Sequence, residues 1–347
     1  SFEVTDFVLR DAQNQEVLRL PKLRASLSPA SLLQLSLERI ELDGPTLEVQ
    51  HNADGSWRVA GVDIGVGGSS AMADWLLRQP ALHIQHGQLR WVDAFNQQAA
   101  VSLSDVSLLM HNGLRSHDLR LDATPPADWG QRFSLQGQFK QALLNGHASD
   151  ISTWQGRVYA ELPQIALDKL AVYARALSGV ELMAGQGWLR AWADWEHGVL
   201  SRPTLDMGLS QVKLQWAPDL PTVELRELAG RLHLQVWKEG LGQELRTQDV
   251  QLVLDDGETW TSGDTRLAWH NEGNLWAQKG ELQIDNVALG VLAAMGDQLG
   301  LLKGALVNYV VRNVKKMVPA FNLPSAVRFN DAVAQGTRLT LKRPDIK

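Results

Sequence analysis

The chain has no cysteine. That excludes a disulfide frame and thiolate-held metal, and it fits an oxidising compartment as well as cytosol. No apolar run reaches the ~18 residues that carry a helix across a bilayer. Charge is sparse and mixed: charged residues make up 21%, the net charge is -6, and no long basic stripe occurs. Attraction to a phosphate backbone is therefore weak, which excludes a general nucleic-acid binder. No Ser-His-Asp order, HExxH or P-loop is present, and no two carboxylates are placed to flank a glycosidic bond. No catalytic residue, cofactor or metal site is predicted. Tyrosine is scarce, at 3, and phenylalanine numbers 7, yet tryptophan reaches 13. Tryptophan offers a large apolar area with one donor, suited to walls that meet both water and lipid.

What is present is alternation. In Leu37 to Gly61, Ile40 and Leu42 alternate with charged residues, Leu47 and Val49 with Glu48 and Gln50, and Trp57 and Val59 with Ser56 and Arg58. Asp43-Gly44-Pro45 and Asn52-Ala53-Asp54-Gly55 punctuate the run. Period two with closely spaced turn chemistry predicts an antiparallel meander, one face apolar and the other wet. The theme recurs at Leu89 and Trp91, at Trp188, Arg190, Trp192 and Asp194, at Leu232, Leu234 and Val236, and at Val250, Leu252 and Leu254. A bulge is expected at Ser104-Asp105, and turns at Glu196-His197-Gly198 and Asp256-Gly257. Leu267 and Trp269 are expected to pair with Leu275 and Ala277.

Helices are expected over 28–35, 71–78, 168–177, 286–299 and 303–318, and short strands over 326–329 and 337–341. The fold class is mainly β: a long, curved antiparallel sheet, groove or sandwich-like, with a few short helices. The segments are 1–124, 125–300 beyond the Pro125-Pro126 break, and a tail over 301–347. Helices this short cannot cover the apolar face of so long a sheet. Three covers remain: a second sheet, closure into a barrel, or a bound apolar ligand.

Other features read blandly. Gly65 to Ser70 precedes a helix, but no Lys-Ser/Thr follows, so it reads as a linker. His83 and His86 are three apart on a strand and face opposite ways, so only a bulge would let them share a metal. Asp255-Asp256 reads as a turn. The 303–318 helix has an apolar face of Leu306, Val307, Val310, Val311, Val314 and Val318. It reads as packed on the sheet end, with a membrane-surface helix as the alternative. The opening in a strand, SFEVTDFVLR, predicts that a targeting segment precedes residue 1.

Several stretches, in order, resemble a known family. They are Ile40-Glu41-Leu42-Asp43-Gly44-Pro45, Asp54-Gly55-Ser56-Trp57-Arg58-Val59-Ala60-Gly61, Trp75 to Pro80, and Leu89-Arg90-Trp91. Thr124 to Asp128, Trp154 to Tyr159 and Leu225 to Leu232 follow. Together, to about Leu299, they resemble the N-terminal periplasmic region of the YhdP-type, AsmA-like envelope proteins of Gram-negative bacteria, which are related to bridge-like lipid-transfer proteins. The resemblance implies a long curved sheet with a hydrophobic groove, and no catalytic residues. It implies a periplasmic segment held to the inner membrane by an anchor helix preceding Ser1. It further implies phospholipid as cargo between inner and outer membrane, a role in the outer-membrane permeability barrier, and an outer-membrane partner. On that reading Ile40, Leu42, Leu47, Val49, Trp57, Val59, Leu89, Trp91, Leu232, Leu234 and Val236 are candidate groove wall. The alternative is a closed β-sandwich scaffold for envelope protein contacts.

Overall fold

A computed structural model describes residues 1–10, 14, 16–27, 37–64, 74–75, 77–141, 150–178, 181–215, 222–236, 242–255, 257, 259–262, 265–270, 279–288 and 333–342. The fold is mainly β, a long sheet in which antiparallel pairing dominates. The chain forms two compact units: residues 1–164 with 190–203, and residues 165–189 with 204–347. Pro125-Pro126 lies inside the first unit, between two strands that each pair with the other.

In the first unit, β1 (Phe2–Arg10) pairs antiparallel with β2 (Glu16–Ser26). Next come β3 (Arg39–Asp43) and β4 (Thr46–His51), both antiparallel to β2. β4 also forms a hairpin with β5 (Trp57–Val59), closed by the Asn52–Gly55 turn, and β5 pairs with β6 (Val62–Ile64). β7 (Ala81–Asp93), β8 (Val101–Asn112), β9 (Ser116–Thr124), β10 (Phe133–Gln141) and β11 (Trp154–Ala166) then form an antiparallel meander.

The opening stretch departs from a simple meander. β3 and β4 do not pair with each other. Both run parallel to β7, with the register offset unchanged from Ile40↔Leu82 to His51↔Asp93. Asp43-Gly44-Pro45 is therefore a kink within one strand course, not a reversal. Gly44 has φ 69°, which L side chains adopt only under strain. Its neighbours kink at matching positions: Asp6 at φ 56°, His86 at 51° and Asp105 at 46°. The bulge expected at Ser104-Asp105 is there, as a register shift between Ser104 and Ser107.

These kinks explain the apolar spacing. Leu42 to Leu47, Ile84 to Leu89 and Leu103 to Val106 are odd steps. Strict period two would turn such pairs to opposite faces. An extra residue at Gly44, at His86 and at Asp105 restores the parity in the β3–β4 course, β7 and β8, so their apolar set stays on one side. His86 and Asp105 also find polar partners, Asp43 at 2.9 Å and Arg132 at 2.6 Å.

In the second unit a 3-10 turn, Leu167–Leu170, leads into α1 (Ala171–Ser178), a helix where the apolar spacing predicts one. β12 (Glu181–Glu196) and β13 (Val199–Gln215) are joined by the His197-Gly198 turn at φ 54° and 82°. β14 (Val223–Val236) pairs with both β13 and β15 (Gly242–Leu254). β15 then pairs with β16 (Thr259–Ser262) and β17 (Thr265–His270), and Gly257 at φ 90° turns the chain between β15 and β16. β17 pairs with β18 (Lys279–Ala288), and β18 with β19 (Val333–Lys342).

Two local expectations are corrected here. Leu267 and Trp269 pair with Leu282 and Gly280, since the strand after β17 starts at Lys279. Asn286 to Ala288 are strand, because β18 continues through Ala288 in register with Val333 of β19. The remaining helix residues to 299, the helices over 28–35 and 303–318, the Gly65–Ser70 loop and the 326–329 strand lie outside the described residues. Of the 71–78 helix, Asp74, Trp75 and Leu77 are helical, and the turn ends before Pro80.

Candidate functional site: an apolar sheet face

The register of the first unit gathers the candidates on one face. Ile40 sits opposite Leu82, Leu42 opposite Ile84, Leu47 opposite Leu89, and Val49 opposite both Trp91 and Val59. Trp57 lies beside this set, its ring 5.4 Å from that of Trp91. The row continues across the meander through Leu108, Leu121, Leu135 and Ala160. All strand pairings of this unit belong to one sheet.

The opposite face is wet and cross-linked by charge. Arg24 bonds Glu3 at 2.8 Å, Arg120 bonds Asp122 at 2.9 Å, and Arg190 reaches Glu161 at 3.0 Å. Arg90 bonds Glu48. Exposed pairs of this kind contribute about 0–1 kcal/mol each, so they set which face is wet more than they set stability.

Burial along the apolar face is uneven. Ile40, Leu82 and Met110 form a closed cluster, 4–7% exposed, covered by Leu37 and Leu77. Leu42, Leu47, Val49, Val59, Leu89 and Trp91 are half-buried, and Trp57 is 36% exposed. Beyond them His51 is sandwiched between Trp57 and Phe95, at ring distances of 4.3 and 4.6 Å. Asp93, fully buried beneath, accepts from His51 and from the backbone and side-chain amides of Asn96. Burial alone would raise its carboxyl. The Asn96 donors and His51 outweigh that and hold it below the usual carboxylate range.

In the second unit Leu232 faces Leu205, and Leu234 faces Leu245. Both are half-buried. The Val236 backbone pairs with Gln243, and its side chain lies outside the described residues. This unit too has a covered stretch: Leu167, Val212, Leu225 and Leu254 are 2–5% exposed.

The histidines serve locally. A bulge does separate Ile84 from Gly87, yet it does not unite His83 with His86. His83 lies edge-on to His111 at 5.5 Å, while His86 bonds Asp43. Among the described residues no cluster of three or more potential ligands could hold a metal ion.

Residues not singled out by the sequence pattern are Gln79, His51, Asp93 and Phe95. Gln79 falls within the Trp75–Pro80 stretch of the family resemblance, and its local signal was its place between a helical turn and Pro80, where the chain turns extended.

Fold and face together describe a mainly-β protein whose first unit carries an apolar sheet face backed by a charged one. The family model described as YhdP protein matches residues 1–312, and the chain belongs to that family of AsmA-like envelope proteins, which is not a family of enzymes. Short segments of long-chain-fatty-acid–CoA ligases are also similar. Those of Escherichia coli O157:H7 and Yersinia pestis are 43% identical over 56 residues, 16% of this chain and 10% of the ligase. That of Haemophilus influenzae is 46% identical over 61 residues, 18% and 11% respectively. The chain thus spans about a tenth of the length of these curated relatives, and their activity does not carry over. No solved structure matches the chain. No helix among the described residues is long and apolar enough to cross a membrane.

Proposed function

We propose that this chain is a periplasmic segment of an inner-membrane-anchored protein, and that its apolar face carries phospholipid between inner and outer membrane. Maintenance of the outer-membrane permeability barrier follows from that supply. The reading rests on one observation above all: Leu42, Leu47, Val49, Val59, Leu89 and Trp91 share a face in direct register and stay half-buried. Carrying lipid needs no bond chemistry. It needs continuous apolar surface, where each buried methylene is worth about 0.8 kcal/mol.

The test is native mass spectrometry of the purified chain after incubation with vesicles of phosphatidylethanolamine and phosphatidylglycerol. Phospholipid adducts are expected, and Leu47→Asp and Trp91→Asp should keep the β-sheet circular dichroism while losing the adducts. No adduct on the parent chain would overturn the reading in favour of a closed scaffold, which the Ile40–Leu82–Met110 cluster would then exemplify. Unfolding of both variants would identify those positions as ordinary core.

A further inference from the structure

The apolar face of the first unit has a covered stretch and a half-buried one, and a single amide lies at the cover. Gln79 is 1% exposed, among the largest fully buried side chains described. Its Oε1 accepts from the Leu37 backbone N–H at 2.7 Å, and its Nε2 donates to the Trp75 carbonyl at 2.6 Å. Its own carbonyl accepts from Asn112 Nδ2 at 2.8 Å. The Asn112 backbone N–H reaches the Pro80 carbonyl at 2.9 Å, and Asn112 Oδ1 accepts from His117 Nδ1 at 2.8 Å. One residue therefore ties together the chain before β3, the turn before β7 and the β8–β9 hairpin. Under it, Leu37 and Leu77 close over Ile40, Leu82 and Met110.

We propose that Gln79 is the stop that ends the lipid-bearing surface of this unit. This rests on the reading of the face as a lipid carrier. A buried amide with each bond made has one good orientation, and lifting the cover strands several polar groups at once. An acyl chain therefore lies along Leu47, Val49, Leu89 and Trp91 and halts before Leu82.

The test places no probe in the protein. The full chain is mixed with vesicles of phosphatidylethanolamine whose acyl chain bears a diazirine, irradiated, and mapped by mass spectrometry. In the parent chain, label is expected at Leu47, Val49 or Leu89 and not at Leu82 or Met110. In Gln79→Ala, label at Leu82 and Met110 should rise about tenfold, the scale of one lost buried hydrogen bond. Leu77→Ala, which thins the cover and leaves the amide, serves the same purpose if Gln79→Ala fails to fold. Equal labelling of Met110 and Leu47 in the parent overturns the stop, as does an unchanged map in a folded variant. Absence of label at Leu47, Val49 and Leu89 alike in the parent overturns the lipid reading and the stop with it.

Discussion

His117 is 4% exposed and stacks on Trp154 with ring centroids 4.1 Å apart. Burial pushes its imidazole below the ordinary value, and an approach by Gln141 opposes this only in part. A base with a depressed folded pKa binds its proton more readily when unfolded. Its contribution is thus intact above about pH 6.5, the unfolded value, and is lost as pH falls through that value toward the folded one. Thermal melts at pH 7.5 and 5.5 should show a lower midpoint at the acid value, and His117→Gln should shrink the difference. Glu244 gives a second slope. It is 3% exposed, bonded by Arg266 at 2.7 Å and by Arg246. The Arg266 bonds hold its carboxyl below the usual range against the cost of burial. That stability is present above the ordinary carboxylate pKa and is lost as pH falls through the lowered one. Glu244→Gln should cost about 1–3 kcal/mol in urea unfolding at pH 7, since the guanidiniums lose a charged acceptor.

Strand elements are held where glycine meets an aromatic ring. A Cβ on Gly156 would stand 2.1 Å from the Gln138 carbonyl oxygen, and one on Gly137 would stand 2.3 Å from the Phe139 ring. Phe139 lies across from Gly156 and fills the side-chain space both glycines leave. Trp188 covers Gly208 in the same way, with Nε1 2.3 Å from the position of a Cβ. Gly156→Ala should therefore destabilise by about 1–3 kcal/mol through overpacking. Phe139→Ala should cost about 2 kcal/mol through lost apolar burial, read from equilibrium unfolding. The elements also show what was legible in the sequence. Period two found the strands, turn chemistry the Asn52–Gly55 reversal, and apolar residues three and four apart α1, because those signals are local. It missed the parallel pairing of β3 and β4 with β7, because Gly44-Pro45 has turn chemistry and only the long-range register shows that the strand runs on. It could not see Gln79 as buried, because the groups that satisfy it come from residues 37, 75 and 112.

For the whole molecule, each unit has an apolar face with a covered stretch and a half-buried stretch. The first is covered by a turn through Leu77, the second by packing that includes Leu167. The cost of a core change should differ accordingly. Leu82→Ala, under the cover, should lower stability by about 2–5 kcal/mol. Leu47→Ala, on the half-buried stretch, should cost about half that while weakening phospholipid retention, a split that separates packing from carriage. Denaturant titrations paired with lipid extraction from the same preparations measure both quantities.

The kinks at Asp6, Gly44, His86 and Asp105 crease β1, the β3–β4 course, β7 and β8 of the first unit. A crease stiffens a sheet as a fold stiffens paper: it resists any bending that would curve the crease itself. Here that motion is curling about the strand axes, which would narrow or spread the apolar side. Deleting Gly44 would remove that kink and shorten the Leu42-to-Leu47 step to an even four, which keeps both on one face but throws the β3–β4 course out of step with β7, where Leu42 now sits opposite Ile84 and Leu47 opposite Leu89.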